Sequence, residues 1–138
     1  MKIKKVSFPP HGDSRGQLVA LEEMKEIPFE VKRIYYMYDT ACDAVRGKHA
    51  HRALEQILIC VHGNCKVRLD DGNTKEIVVL DKPYEGLYIK NDIWREMFDF
   101  SDDAVLMVIA SELYDESDYI RDYDTFLEEV RLKGQFNE

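Results

Sequence analysis

Gln56-Ile-Leu-Ile-Cys-Val-His-Gly-Asn-Cys-Lys-Val-Arg-Leu-Asp-Asp-Gly-Asn-Thr-Lys-Glu-Ile-Val-Val-Leu80 holds three short apolar runs, Gln56–Val61, Cys65–Leu69 and Glu76–Leu80, separated by His62-Gly-Asn64 and Asp70-Asp-Gly-Asn73. Each run is too brief for a helix and carries β-branched side chains, so each reads as a strand. Gly and Asn tolerate positive φ, so both separators read as tight turns that make their flanking strands antiparallel neighbours. The same pattern continues outward in Val31–Tyr38, Gly86–Ile89, Glu96–Phe100 and Ala104–Ala110. Many short strands between residues 17 and 110 predict an all-β sandwich or barrel.

After Ser111 the pattern changes. In Asp115–Val130 the apolar positions Tyr119, Tyr123, Phe126, Leu127 and Val130 fall at helical spacing, which predicts a C-terminal helical segment packed across the barrel. Asp124-Thr125 offers an N-cap with Glu128 and Glu129 behind it, so a break near Tyr123 is expected. Gly134–Glu138 is expected to fray. No repeat or linker divides the chain, and 138 residues with 45% hydrophobic content suit one core, so residues 1–138 are expected to form a single domain.

Composition narrows the function classes. No run approaches the ~20 apolar residues of a membrane span, and Met1-Lys-Ile-Lys-Lys5 is not followed by the apolar run of a secretory signal, so a cytoplasmic protein without a membrane role is expected. Cys42, Cys60 and Cys65 are odd in number and lack CxxC spacing, which points to structural thiols rather than a disulfide framework or a zinc knuckle. A net charge of -8 argues against nucleic acid as a partner, although a local basic pocket can still hold a diphosphate.

The chemistry concentrates in Arg46-Gly-Lys-His-Ala-His-Arg-Ala-Leu-Glu55. If this segment is extended, the period of two puts His49, His51 and Glu55 on one face. HxH, a Glu four residues later and a Gly after one further strand resemble the first cupin motif, which in many proteins binds a metal. A second motif supplies another His after a strand like Gly86–Ile89; here that position is Arg95, a permanent cation that cannot coordinate a divalent ion. The metal reading is therefore set aside, and two imidazoles that titrate near neutral pH, among cationic side chains, suit proton transfer on a bound anion. A lone His at a barrel rim is more often merely polar, but His49 and His51 come with Glu55 and Arg46. Glu55 is expected to orient a histidine or to be a rim charge, and Tyr35, Tyr36 and the tyrosines of the C-terminal segment to contact a ligand or to pack in the core or a dimer interface. Asp13-Ser-Arg-Gly16 is a polar turn that carries Arg15.

Asp13–Gly16, Arg33–Tyr36, Arg46–His51, Glu55–Cys60, Gly86–Ile89, Trp94–Met97 and Tyr114–Tyr123 together resemble the dTDP-4-keto-6-deoxy-D-glucose 3,4-ketoisomerases of the FdtA and QdtA type, over roughly residues 5 to 130. The resemblance implies a cupin jelly-roll barrel, a homodimer, and a dTDP-linked keto-deoxysugar held in the barrel mouth without metal or cofactor. It implies that the keto group moves from C4 to C3 through an enediolate, toward 3-amino-3,6-dideoxy sugars. His49 matches the essential base and His51 its companion, while Arg15, Arg46, Arg95, Tyr35 and Glu55 are expected to bind substrate. Arg15 resembles the galacto-producing type and Arg95 the gluco-producing one, so the C4 configuration of the product stays open. A nucleotide-sugar 3,5-epimerase, a metal-dependent dioxygenase and a noncatalytic sugar-nucleotide binding module are the rival readings.

Overall fold

The structure is a computed structural model that describes residues 1–136, the side chains of 135 and 136 excepted. In chain order the strands are β1 (Ile3–Ser7), β2 (His11–Asp13), β3 (Gly16–Leu18), β4 (Arg33–Met37), β5 (Arg46–His51) and β6 (Gln56–His62). They continue as β7 (Cys65–Asp70), β8 (Lys75–Leu80), β9 (Glu85–Ile89), β10 (Trp94–Phe98), β11 (Val105–Ala110) and β12 (Tyr119–Ile120), before a helix α1 (Tyr123–Phe136). Two five-stranded antiparallel sheets, ordered β1-β9-β6-β11-β4 and β12-β5-β10-β7-β8, face each other as a cupin-like β fold, and β2 and β3 form a separate hairpin.

The continuous apolar run of β6 has a physical cause. Leu58 and Cys60 point into the space between the sheets, against Val67, Leu69, Leu87, Leu106 and Val108. Ile57 and Ile59 point the other way and are covered by Phe8, Ile27 and Phe29 from the segment before β4. A strand buried on both faces loses the polar alternation of a half-exposed one.

The expected strands are present with shifted ends; the run read as Glu96–Phe100 is Trp94–Phe98. Two expectations about turns fare differently. Asp70–Asn73 joins β7 to β8 as paired neighbours, with the Gly72 N–H on the Asp70 carboxylate at 2.7 Å. His62-Gly-Asn64 does not make a hairpin: β6 pairs with β9 and β11, and β7 with β10 and β8, so this turn is a corner between the two sheets. Ser101 holds that corner, accepting the Asn64 N–H through Oγ at 2.9 Å and donating its own N–H to the Asn64 carbonyl at 2.9 Å.

The C-terminal region also differs from the periodicity reading. Glu116–Asp118 is one 3-10 turn, Tyr119–Ile120 joins the edge of β5, and the helix starts at Tyr123. Its cap is Asp122, not Asp124: the Asp122 carboxylate accepts the Thr125 N–H at 2.9 Å and the Thr125 hydroxyl at 2.8 Å. The helix continues through Gly134 to Phe136, so the expected fraying does not begin at 134; Asn137 and Glu138 lie outside the described residues. Phe126, fully buried, seats α1 against Trp94, Ala50 and Ile120. Among the described residues no helix is long and apolar enough to cross a membrane.

Candidate active site

Strand β5 places the two histidines. Gly47 (φ 88°) and Lys48 (φ 57°) both adopt positive φ, and the register against β10 shifts there: Arg95 lies opposite His49 and Glu96 opposite Gly47. This bulge turns Lys48 outward and leaves His49 and His51 pointing between the sheets. Their rings meet edge to face with centroids 4.8 Å apart, and the Tyr119 ring lies 4.9 Å from His49 and 4.4 Å from His51.

His49 faces a cleft of about 480 Å³. Tyr35 and Tyr119 line its walls with Met37, Val45 and Met97, and three cations, Arg33, Arg46 and Arg121, share the lining. The Arg33 guanidinium lies over the Tyr35 ring at 5.0 Å, and Arg121 lies over Tyr119 at 4.3 Å while its Nε donates to Glu116 at 2.6 Å. His51, with no exposed surface, stands behind His49 and Tyr119.

Arg95 is the electrostatic centre. Its side chain is fully buried, and its partners are neutral: the Ile93 carbonyl, at 3.2 Å from Nε and 2.7 Å from Nη2, and the Gln56 side-chain oxygen. Burial lowers its pKa only to about 10, so it is charged at neutral pH. Burial first, and this cation second, hold His49 down to about 4. The same two causes, followed by the neighbouring His49, push His51 far below the ordinary imidazole range. Both rings are thus neutral bases near pH 7, and neither nitrogen of His49 has a protein partner among the described residues. Tyr35 is pushed up by burial and stays a protonated donor.

Of the residues expected from sequence, His49, His51, Arg95, Arg46 and Tyr35 come together. Glu55 does not: the chain leaves the strand at Arg52, so counting by twos fails, and the Glu55 carboxylate instead accepts the Tyr88 hydroxyl at 2.7 Å. The carboxylate that meets a histidine is Asp118, whose Oδ2 lies 3.0 Å from His51 Nδ1. Arg15 is also apart from the cleft of its own chain, on the exposed β2–β3 turn, where its guanidinium pairs with Asp13 at 2.6 Å. Arg33, Arg121 and Asp118 are not among the site residues the sequence points to, and Tyr119 is one of the C-terminal tyrosines for which ligand contact and packing both stay open. Three of them lie in the segment read as helix, where aromatic spacing masked a polar strap across the cleft. Among the described residues no group of three or more His, Cys, Asp or Glu side chains is placed to hold a metal ion.

A family profile described as FdtA, WxcM-like, C-terminal matches residues 1–131. The chain is 54% identical over 126 residues to a TDP-4-oxo-6-deoxy-alpha-D-glucose-3,4-oxoisomerase of Aneurinibacillus thermoaerophilus, covering 91% of both. A 3,4-ketoisomerase from Helicobacter canadensis superposes with a TM-score of 0.93 at 51% identity, over 95% of this chain and 98% of that one. A mutant of QdtA, the 3,4-ketoisomerase of Thermoanaerobacterium thermosaccharolyticum, in complex with TDP-4-keto-6-deoxyglucose, does so with a TM-score of 0.92 at 43% identity, over 94% of each chain.

Proposed function

The chain belongs to the FdtA family of WxcM-like domains, and from that premise we propose that it converts dTDP-4-keto-6-deoxy-D-glucose to a dTDP-3-keto-6-deoxyhexose with His49 as the base. It is a 3,4-ketoisomerase of TDP-linked sugars. The observation that carries the assignment of His49 is its neutral, unpartnered imidazole at the wall of the cleft, directly across the strand pair from a buried cation.

The chemistry follows from the substrate. The C4 carbonyl acidifies the C3 proton; His49 takes it, and the electron pair of the broken C–H bond forms a C3–C4 enediolate whose charge rests on O4. The field of Arg95 stabilises that charge in a dry site, an effect commonly worth ~3 kcal/mol per preorganised donor. The proton on the imidazole exchanges with solvent, a solvent-derived proton is delivered to C4, the hydroxyl proton leaves O3 for O4, and the ketone is left at C3. Substrate and product are isomers, so no redox cofactor is required. Tyr35 and Tyr119 are the hydroxyls at the cleft wall suited to the oxygen-to-oxygen transfer, with His51 as a second neutral base. Arg33, Arg46 and Arg121 supply cations that pair with the diphosphate. Arg15 contacts substrate in this reading only if it is supplied from outside the chain's own cleft.

A homodimer fits this site. Strand β4 is the free edge of its sheet, with Arg33, Tyr35 and Met37 half-buried on the cleft side and Ile34, Tyr36 and Tyr38 at 57%, 64% and 64% exposure on the other. An apolar edge of this kind is suited to a second copy. We assign the enzyme to the cytoplasm and its product, a 3-ketosugar, to a transaminase that installs a 3-amino group.

The test is a proton NMR time course with dTDP-4-keto-6-deoxy-D-glucose in deuterated buffer, followed by chemical reduction of the product. Hydrogen at C3 lost, deuterium at C4 and a ketone at C3 are expected, and the reduced product reads out the galacto or gluco configuration. His49→Asn should bind dTDP and lose turnover by roughly a thousandfold or more. Exchange at C3 and C5 with the ketone still at C4 would make the protein an epimerase, and ligand binding without exchange would make it a binding module.

A further inference from the structure

We propose that Asp118 is a positioning residue for this reaction, holding His51 in the tautomer that carries its proton on Nδ1 and keeps Nε2 as a bare proton acceptor beside His49. The inference rests on the ketoisomerase reading for its catalytic consequence, and on geometry alone for the tautomer. An ionised carboxylate accepts hydrogen bonds and cannot donate them, so at 3.0 Å from Asp118 Oδ2 the hydrogen belongs to His51 Nδ1. His51 Nε2 is buried and has no protein partner among the described residues.

Asp118 is itself held in place. Its Oδ1 accepts the Ala53 N–H at 2.7 Å, and Oδ2 accepts the Leu54 N–H at 3.3 Å. Its carbonyl accepts the Arg52 N–H at 2.9 Å, and its own N–H donates to the Asp115 carbonyl at 3.0 Å. The turn that ends β5 and the 3-10 turn before β12 are thereby clamped to one carboxylate, and His51 hangs from the same group. The groups facing His51 are His49 on its own strand, Arg95 on β10, Arg33 on β4, and Tyr119, Asp118 and Arg121 on the C-terminal strap. Three cations surround it and one carboxylate touches it, so the pair stays a neutral imidazole donating to an anion. The bare nitrogen is what the reaction needs: a second hydrogen-bond acceptor beside His49, open to a donor while the ketone and hydroxyl exchange places.

Asp118→Asn tests this with little change of shape. Its amide oxygen will keep the shortest contact, the Ala53 N–H, which turns the NH₂ toward His51 Nδ1. The ring then has to accept there and carry its proton on Nε2. Long-range ¹H–¹⁵N spectra of protein labelled at histidine should show His51 as Nδ1–H in the wild type and as Nε2–H in Asp118→Asn. Over the same change kcat should fall on the order of 100-fold or more with KM within about threefold, as expected when a neutral histidine is forced into the wrong tautomer. Asp118→Ala, which also loses the Ala53 contact that Asp118→Asn keeps, should lower the melting temperature more than Asp118→Asn does. An Nε2–H resonance for His51 in the wild type, or an Asp118→Asn enzyme with kcat within threefold of wild type, overturns the proposal. The tautomer readout needs no substrate. A wild type with Nδ1–H at His51 that never isomerises the sugar would therefore sink the ketoisomerase reading and leave the positioning of His51 supported.

Discussion

His49 and Arg95 face each other across two strands, and the placement of one sets the ionisation of the other. With His49 held at about 4, the acid limb of kcat/KM for the free enzyme should fall near that value rather than near the ordinary histidine range of about 6.5. Stability has a matching sign: the unfolded chain protonates this histidine first, so the contribution of the buried neutral ring is lost as pH falls from about 6.5 toward 4. Arg95→Met removes the cation and keeps the volume, so the limb should move upward and kcat should drop by about 10²–10³; an unmoved limb would leave burial as the whole cause. At this scale the sequence was legible where period-two spacing applies, at His49 and His51, and where a charge stood in place of an expected ligand, at Arg95. It was not legible at Asp118, which meets His51 across 67 positions of chain.

The element that makes the site is β5 with its bulge. A Cβ added at Gly47 would sit 3.0 Å from the Arg95 carbonyl oxygen and 3.1 Å from Met97 Sδ, on a backbone already at φ 88°. Gly47→Ala should therefore cost about 1–2 kcal/mol and lower the melting temperature by roughly 3–8 °C. Because the strain falls on the strand pair that carries His49 and Arg95, kcat should fall with it; calorimetry and turnover of the same preparation would check both. A melting temperature at the wild-type value would mean that β5 relaxes around the new methyl group. The strands themselves were readable from apolar runs, since burial of β-branched side chains is a local demand. Their partners were not: His62–Asn64 carries the residues of a hairpin turn yet joins two different sheets. Turn chemistry reports which backbone angles a residue tolerates, not which strand lies alongside.

For the whole molecule, the exposed apolar edge of β4 backs directly onto the cleft wall. If two copies meet there, light scattering should give twice the chain mass, and Ile34→Asp with Tyr36→Asp should give a monomer. That monomer should also lose activity, because Arg33 and Tyr35 alternate with the substituted residues on the same strand. A wild-type monomer with full turnover would remove the dimer from the account. The net charge of -8 decides little about the ligand, because three arginines converge on one cleft against that background.

The sequence by itself determined the all-β class, the C-terminal helix in outline, the paired histidines and the cation opposite them, since each depends on short-range periodicity or on the chemistry of a motif. Only the tertiary structure decided that Glu55 bonds Tyr88 while Asp118 serves His51, that the helix is capped at Asp122, and that Arg33, Tyr119 and Arg121 complete the cleft. Those contacts join segments remote in sequence, and their geometry depends on sheet pairing, a bulge and the path of the strap, none of which leaves a periodic trace in the residues.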